Sequence, residues 1–162
     1  MLSLEESLKI LKETNALLEG HFVLTSGLHS PQYIQCAQLM SKPKAANKIC
    51  VSLSNKIKNE IQNFDIILSP AMGGIVVGYE IGRLLDKEAI FCERVNGELK
   101  LRRDFSIHKK QKVLIVEDVI TTGKSSLECA KLILENDAII AGYACIIAVS
   151  YTHLTLPTKS SG

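Results

Sequence analysis

From residue 65 onward, runs made almost wholly of Ile, Val, Leu and Ala alternate with longer segments of helical spacing. DIILS (65–69), AIFCE (89–93), KVLIVED (112–118) and AIIAGYACIIAV (138–149) read as strands, with IVVGYEIGRLLD (75–86) and SSLECAKLILEN (125–136) as helices between them. Strands that are apolar on both faces must be covered on both, and a parallel sheet wrapped by alternating helices does this. The expected fold class is therefore α/β. Upstream, Ser3 and Glu6 have capping-box spacing, and Leu4, Leu8, Leu11, Ala16 and Leu18 continue a helical stripe to a stop at Gly20. Residues 21–25 and 33–36 read as short strands around a Gly- and Pro-bearing turn at 26–31. Pro43 opens a further helix, with Ala45, Ala46, Ile49, Leu53 and Ile57 on one face.

A length of 162 residues suits a single domain, expected over 1–149 with an N-terminal hood at 1–37, and 46% hydrophobic residues supply its core. Nineteen Lys and Arg against seventeen Asp and Glu give a formal +2, which excludes whole-surface attraction to nucleic acid or membrane. Any anion site must be local. The five cysteines, an odd number without a C-x-x-C pair, fit a reducing cytoplasm and read as small buried hydrophobes. Early acidic residues argue against a signal peptide. No apolar run reaches the roughly 18–20 residues needed to cross a bilayer, so a soluble protein is expected.

The stretch Val113 to Ser125 runs from a buried strand into two carboxylates, a hydroxyl-rich turn and a helix. Carboxylates at a strand's end can accept hydrogen bonds from vicinal sugar hydroxyls or hold a hydrated divalent cation. Thr121, Thr122 and Ser125 offer hydroxyls, Gly123 admits a ligand close to the backbone, and the helix start offers free N–H groups, together a phosphate cradle. A Walker loop would need Gly where Asp118 stands, and no G-x-G-x-x-G is present. An ordinary strand-to-helix turn accounts for the Thr and Gly but leaves the paired acids unexplained. In the earlier loop, Ser69 to Ile75, Gly73 and Gly74 let backbone amides face an anion. Residues 94–112 concentrate positive charge in a basic hairpin or loop.

Residues 113–125 resemble the phosphoribosyl-pyrophosphate signature of the type I phosphoribosyltransferases. The resemblance implies that family's fold, a parallel sheet flanked by helices with an N-terminal hood. It also implies that Glu117 and Asp118 bind the ribose hydroxyls and that the donor-binding segment continues through Val119, Ile120, Thr121, Thr122, Gly123, Lys124 and Ser125, with 121–125 around the 5-phosphate. Ala71, Met72, Gly73 and Gly74 resemble the family's pyrophosphate loop. Residues 20–31 with 33–37 are similar to the base-side hood of its orotate-using members, implying Ser26, Gly27 and Thr121 at the base. Where many relatives carry Lys, Thr25 and Gly73 stand here, so the basic loop is expected to supply more of the charge.

The implied catalytic set is Arg94, Lys100, Arg102 and Arg103, closing as a mobile lid, together with Asp118. The implied reaction joins orotate to the phosphoribosyl group and releases pyrophosphate. Its implied cofactor is Mg²⁺, held mainly by substrate oxygens and water, with Asp118 as the candidate protein ligand. A homodimer whose lid serves the neighbouring site is expected. The rival readings are a purine phosphoribosyltransferase and a non-catalytic regulator that binds the sugar diphosphate. Residues 150–162 have no acidic residue and no apolar periodicity, resemble translated adapter sequence, and are expected to be foreign to the fold at a truncated end.

Overall fold

The computed structural model describes residues 1–149, so the atypical tail lies outside the described residues. They form two compact units, Met1–Ser52 and a second beginning at Leu53.

In the first unit, α1 (Leu4–Glu13) starts in the expected capping box: the Glu6 N–H donates to the Ser3 hydroxyl at 3.1 Å, and the Ser3 N–H donates to the Glu6 carboxylate at 2.7 Å. The helix stops earlier than its apolar spacing predicts. The Thr14 hydroxyl turns back to the Ile10 carbonyl at 2.8 Å, and Asn15 takes φ 60, a left-handed conformation that Asn tolerates. Leu18 and Gly20 consequently lie in β1 (Leu17–Val23), which pairs antiparallel with β2 (His29–Ile34). Pro31 sits inside β2, which a two-stranded ribbon permits because each strand has one edge outside the ladder. A short α2 (Cys36–Met40), too brief to leave a periodic signal, precedes α3 (Pro43–Glu60), which opens at Pro43 as expected and buries Ala46, Ile49 and Ile57.

The second unit contains β3 (Ile66–Pro70), α4 (Gly73–Leu85), β4 (Glu88–Val95), β5 (Glu98–Leu101), β6 (Lys112–Ile120), α5 (Lys124–Glu135) and β7 (Ile139–Ala148). The sheet order is β5-β4-β3-β6-β7. The four long strands are parallel as expected, but β5 runs antiparallel to β4, so the sheet is mixed. The cause is local. Asn96 and Gly97 take φ 52 and 84, the paired positive values of a two-residue hairpin, and such a turn can only return the chain antiparallel.

Alternation along β3 divides the core. Ile66 and Leu68 join Val113, Ile115, Cys129, Ala130 and Ile133 on the α5 side. Ile67 and Ser69 face α4, which approaches so closely that a Cβ on Gly78 would overlap Ser69 Oγ. Each fully buried Ile or Leu here contributes about 1.5–3 kcal/mol. The chain leaves β3 through α4 towards β4 and leaves β6 through α5 in the other direction, towards β7. Winding therefore reverses between β3 and β6, which opens a crevice beyond their carboxyl ends. Among the described residues β7 has a neighbour on one side only. Four of the five cysteines are buried and Cys145 is half-buried.

Candidate active site

Strand β6 continues two residues beyond its expected end, to Ile120, and so carries both acids within the sheet. Because consecutive strand residues face opposite sides, Glu117 shares the α5 side with Val113 and Ile115, while Asp118 looks towards α4. Glu117 is only 5% exposed, and its Oε2 accepts a hydrogen bond from the hydroxyl of Ser126, a residue of zero exposure. Burial pushes the Glu117 carboxyl above the usual carboxylate range, the Ser126 hydroxyl works against this, and the charge of Asp118 adds to it.

Asp118 is half-buried and meets the loop after β3. A Cβ on Gly73 would overlap Asp118 Oδ2, so the bare glycine lets the two strand-to-helix loops come together around one carboxylate. In that loop the Ala71–Met72 peptide is cis, the Ala71 N–H donates to the Cys92 carbonyl at 2.8 Å, and Met72 is exposed. Helices α4 and α5 both start at this crevice. Their N-cap residues, Met72 and Gly123, make no side-chain capping bond, which leaves first-turn N–H groups for an anion. Thr121, Thr122 and Lys124 are exposed and Ser125 half-buried; Thr122 Oγ1 accepts from the Lys124 N–H at 3.4 Å. The segment Glu117–Ser125 and the loop Ala71–Gly74 are thus brought to one crevice.

Ser26 and Gly27 belong to the first unit, on the tight turn joining β1 to β2. There Gly27 takes φ 84 and donates to the Leu24 carbonyl at 2.8 Å, while Ser26 Oγ accepts from the Leu28 N–H at 3.4 Å.

The four basic residues expected to act as one lid fall into different settings. Arg94 Nη2 lies 2.8 Å from Glu128 Oε2 of α5, and Arg94 Nη1 donates to the Gly97 carbonyl at 2.9 Å, so this arginine ties the hairpin root to the helix. Arg103 makes a two-pronged bond to Glu93 at 2.8 and 3.1 Å and lies over the Phe91 ring. That guanidinium holds the Glu93 carboxyl below its ordinary range. Lys100 and Arg102 are exposed and, among the described residues, make no ion pair. A recess of about 640 Å³ behind the hairpin, bounded by Leu101, Phe105 and Leu132, contains no residue of the two converging loops. Convergence, not concavity, defines the site.

Sequence reasoning missed Ser126. Its signal was a hydroxyl on the buried stripe of α5, in register with Cys129, Ala130 and Ile133. It also left the basic segment as hairpin or loop, although Asn96-Gly97 is a strong hairpin signal. Among the described residues no group of three or more His, Cys, Asp or Glu could hold a metal alone. The single half-exposed carboxylate of Asp118, beside two open helix starts, fits a Mg²⁺ ion coordinated mostly by ligand phosphates and water. Among the described residues no helix is long and apolar enough to cross a membrane.

Residues 35–155 match the phosphoribosyl transferase domain, and the chain belongs to that family. Two curated proteins bearing the name orotate phosphoribosyltransferase resemble it most informatively. That of Helicobacter acinonychis (strain Sheeba) is 46% identical over 135 residues, covering 83% of this chain and 67% of the relative. That of Chlorobium phaeobacteroides (strain BS1) is 46% identical over 150 residues, covering 93% and 77%. The crystal structure of orotate phosphoribosyltransferase from Aeropyrum pernix shares the fold, with a TM-score of 0.73 at 19% identity over 87% of this chain and 92% of that one.

Proposed function

We propose that this chain transfers the phosphoribosyl group of phosphoribosyl pyrophosphate to orotate, giving orotidine 5′-monophosphate and pyrophosphate in pyrimidine nucleotide synthesis. One observation carries this reading: two helix starts open to anions converge on a carboxylate, an arrangement suited to a ligand with a phosphate at each end and a diol between. Its support from kinship is the 46% identity to orotate phosphoribosyltransferases.

In this reading Thr121 to Ser125 hold the 5-phosphate, Glu117 and Asp118 accept from the ribose hydroxyls, and Ala71 to Gly74 hold the pyrophosphate. Thr121 contacts orotate. Displacement at an anomeric carbon passes through a cation-like state, and neither loop contains a His or Cys to act as base or nucleophile. Catalysis then comes from positioning and electrostatics. Asp118 would be the protein ligand of a Mg²⁺ ion held mainly by substrate oxygens and water, and such an ion would supply charge neutralisation of the leaving group. Lys100 and Arg102 reach over the pyrophosphate first, and Arg103 follows by leaving Glu93, which excludes water from the reacting sugar. Val76 and Tyr79, 52% and 68% exposed on α4 beside the pyrophosphate loop, offer an apolar surface for a second subunit. An odd number of cysteines without a C-x-x-C pair suits the cytoplasm.

The test measures pyrophosphate release with Mg²⁺ and phosphoribosyl pyrophosphate in the presence of orotate, adenine, hypoxanthine or xanthine. Release with orotate alone is expected. Release driven by a purine would transfer the assignment to the purine enzymes, and donor binding without release would make the chain a sensor.

A further inference from the structure

The roles above leave Ser126 without one, although it is the sole polar member of the buried stripe on α5 formed with Cys129, Ala130 and Ile133. A hydroxyl in such a stripe is unfavourable unless it is hydrogen-bonded, and this one donates to Glu117 Oε2. The bond matters for Glu117 because a carboxylate at the end of a strand can otherwise turn between several rotamers. With Oε2 engaged by a serine fixed in the helix, the torsions of Glu117 are set, and Oε1 remains to accept from outside the pair.

We propose that Ser126 is a positioning residue for the sugar of the donor: it clamps one oxygen of Glu117 so that the other is held ready for a ribose hydroxyl. The inference rests on the function proposed above and adds to it a residue that touches no substrate. Its specific consequence is that Ser126 governs recognition of the diol and not of the phosphates, which belong to the helix starts and the 121–125 turn.

Calorimetry with two probes separates these contributions: phosphoribosyl pyrophosphate, which carries the diol, and inorganic pyrophosphate, which does not. Ser126→Ala is expected to weaken the sugar diphosphate about tenfold and to leave inorganic pyrophosphate unchanged. In a Glu117→Ala background, the same substitution should cost nothing more. Ser126→Cys, which preserves volume but donates weakly, should show an intermediate loss and serves if the alanine variant does not fold. Wild-type sugar binding by either folded variant overturns the proposal. An equal loss for both probes also overturns it, by revealing a general disturbance of the crevice. A wild-type chain that binds pyrophosphate but discriminates against the sugar diphosphate refutes the proposed function itself, a result distinct from any comparison among Ser126 variants.

Discussion

Asp118 and Cys145 show how immediate surroundings decide what a side chain can do. Asp118 stands half-exposed where two loops meet, and Asn matches its size against Gly73, so Asp118→Asn should retain the fold. Under the proposed role, loss of its charge-assisted bond to the sugar is expected to lower kcat/KM roughly 10- to 100-fold, measurable by steady-state kinetics beside an unchanged thermal unfolding curve. Cys145 is the one thiol with partial access to solvent, and burial pushes its pKa up to about 11. Only the thiolate alkylates, so iodoacetamide should leave it nearly untouched at pH 8. Labelling should then speed up about tenfold per pH unit on approach to 11, read as a single adduct by intact-protein mass spectrometry. Much of the site's placement was legible in order and type: two acids, then hydroxyls and glycine, do lie at the end of a buried strand where a helix begins. The divergence of Glu117 from Asp118 was legible only with strand alternation applied through the end of β6, and the Arg94–Glu128 pair was not, because a strand and a distant helix must first be folded together.

At the scale of elements, the proposed lid is the hairpin β4–β5 with the segment that follows it. Its root is secured by the pair of Arg94 with Glu128 of α5, while Arg103 is held by an exposed pair with Glu93 that solvent and salt can loosen. Arg103→Ala should therefore lower kcat roughly a hundredfold, as removal of one transition-state contact does, and leave the denaturation midpoint where it was. Wild-type turnover in the folded variant would assign the lid's work to Lys100 and Arg102. The four parallel strands and the two helices between them were legible to within a few residues, because their apolar runs answer directly to burial. The end of α1 was not. There the apolar stripe continued past Glu13 while a backbone decision at Thr14 and Asn15 ended the helix, and Leu18 found its place in a strand instead.

For the molecule as a whole, reversed winding at the sheet centre brings two helix starts and two loops to one crevice, which separate stretches of sequence could only suggest. The exposed stripe Met72, Val76 and Tyr79 beside that crevice predicts self-association: sedimentation velocity should find a dimer, and Tyr79→Glu should shift it to monomer with secondary structure retained. A monomeric wild type would remove the second subunit from the mechanism. The far border of the sheet has a different consequence. The ten residues of β7 carry no charge, and among the described residues one side of their backbone has no ladder partner. Charges, prolines and bulges are the usual guards against stray pairing, and β7 carries neither of the first two, so within the described sheet its specificity of pairing rests on the apolar match to β6.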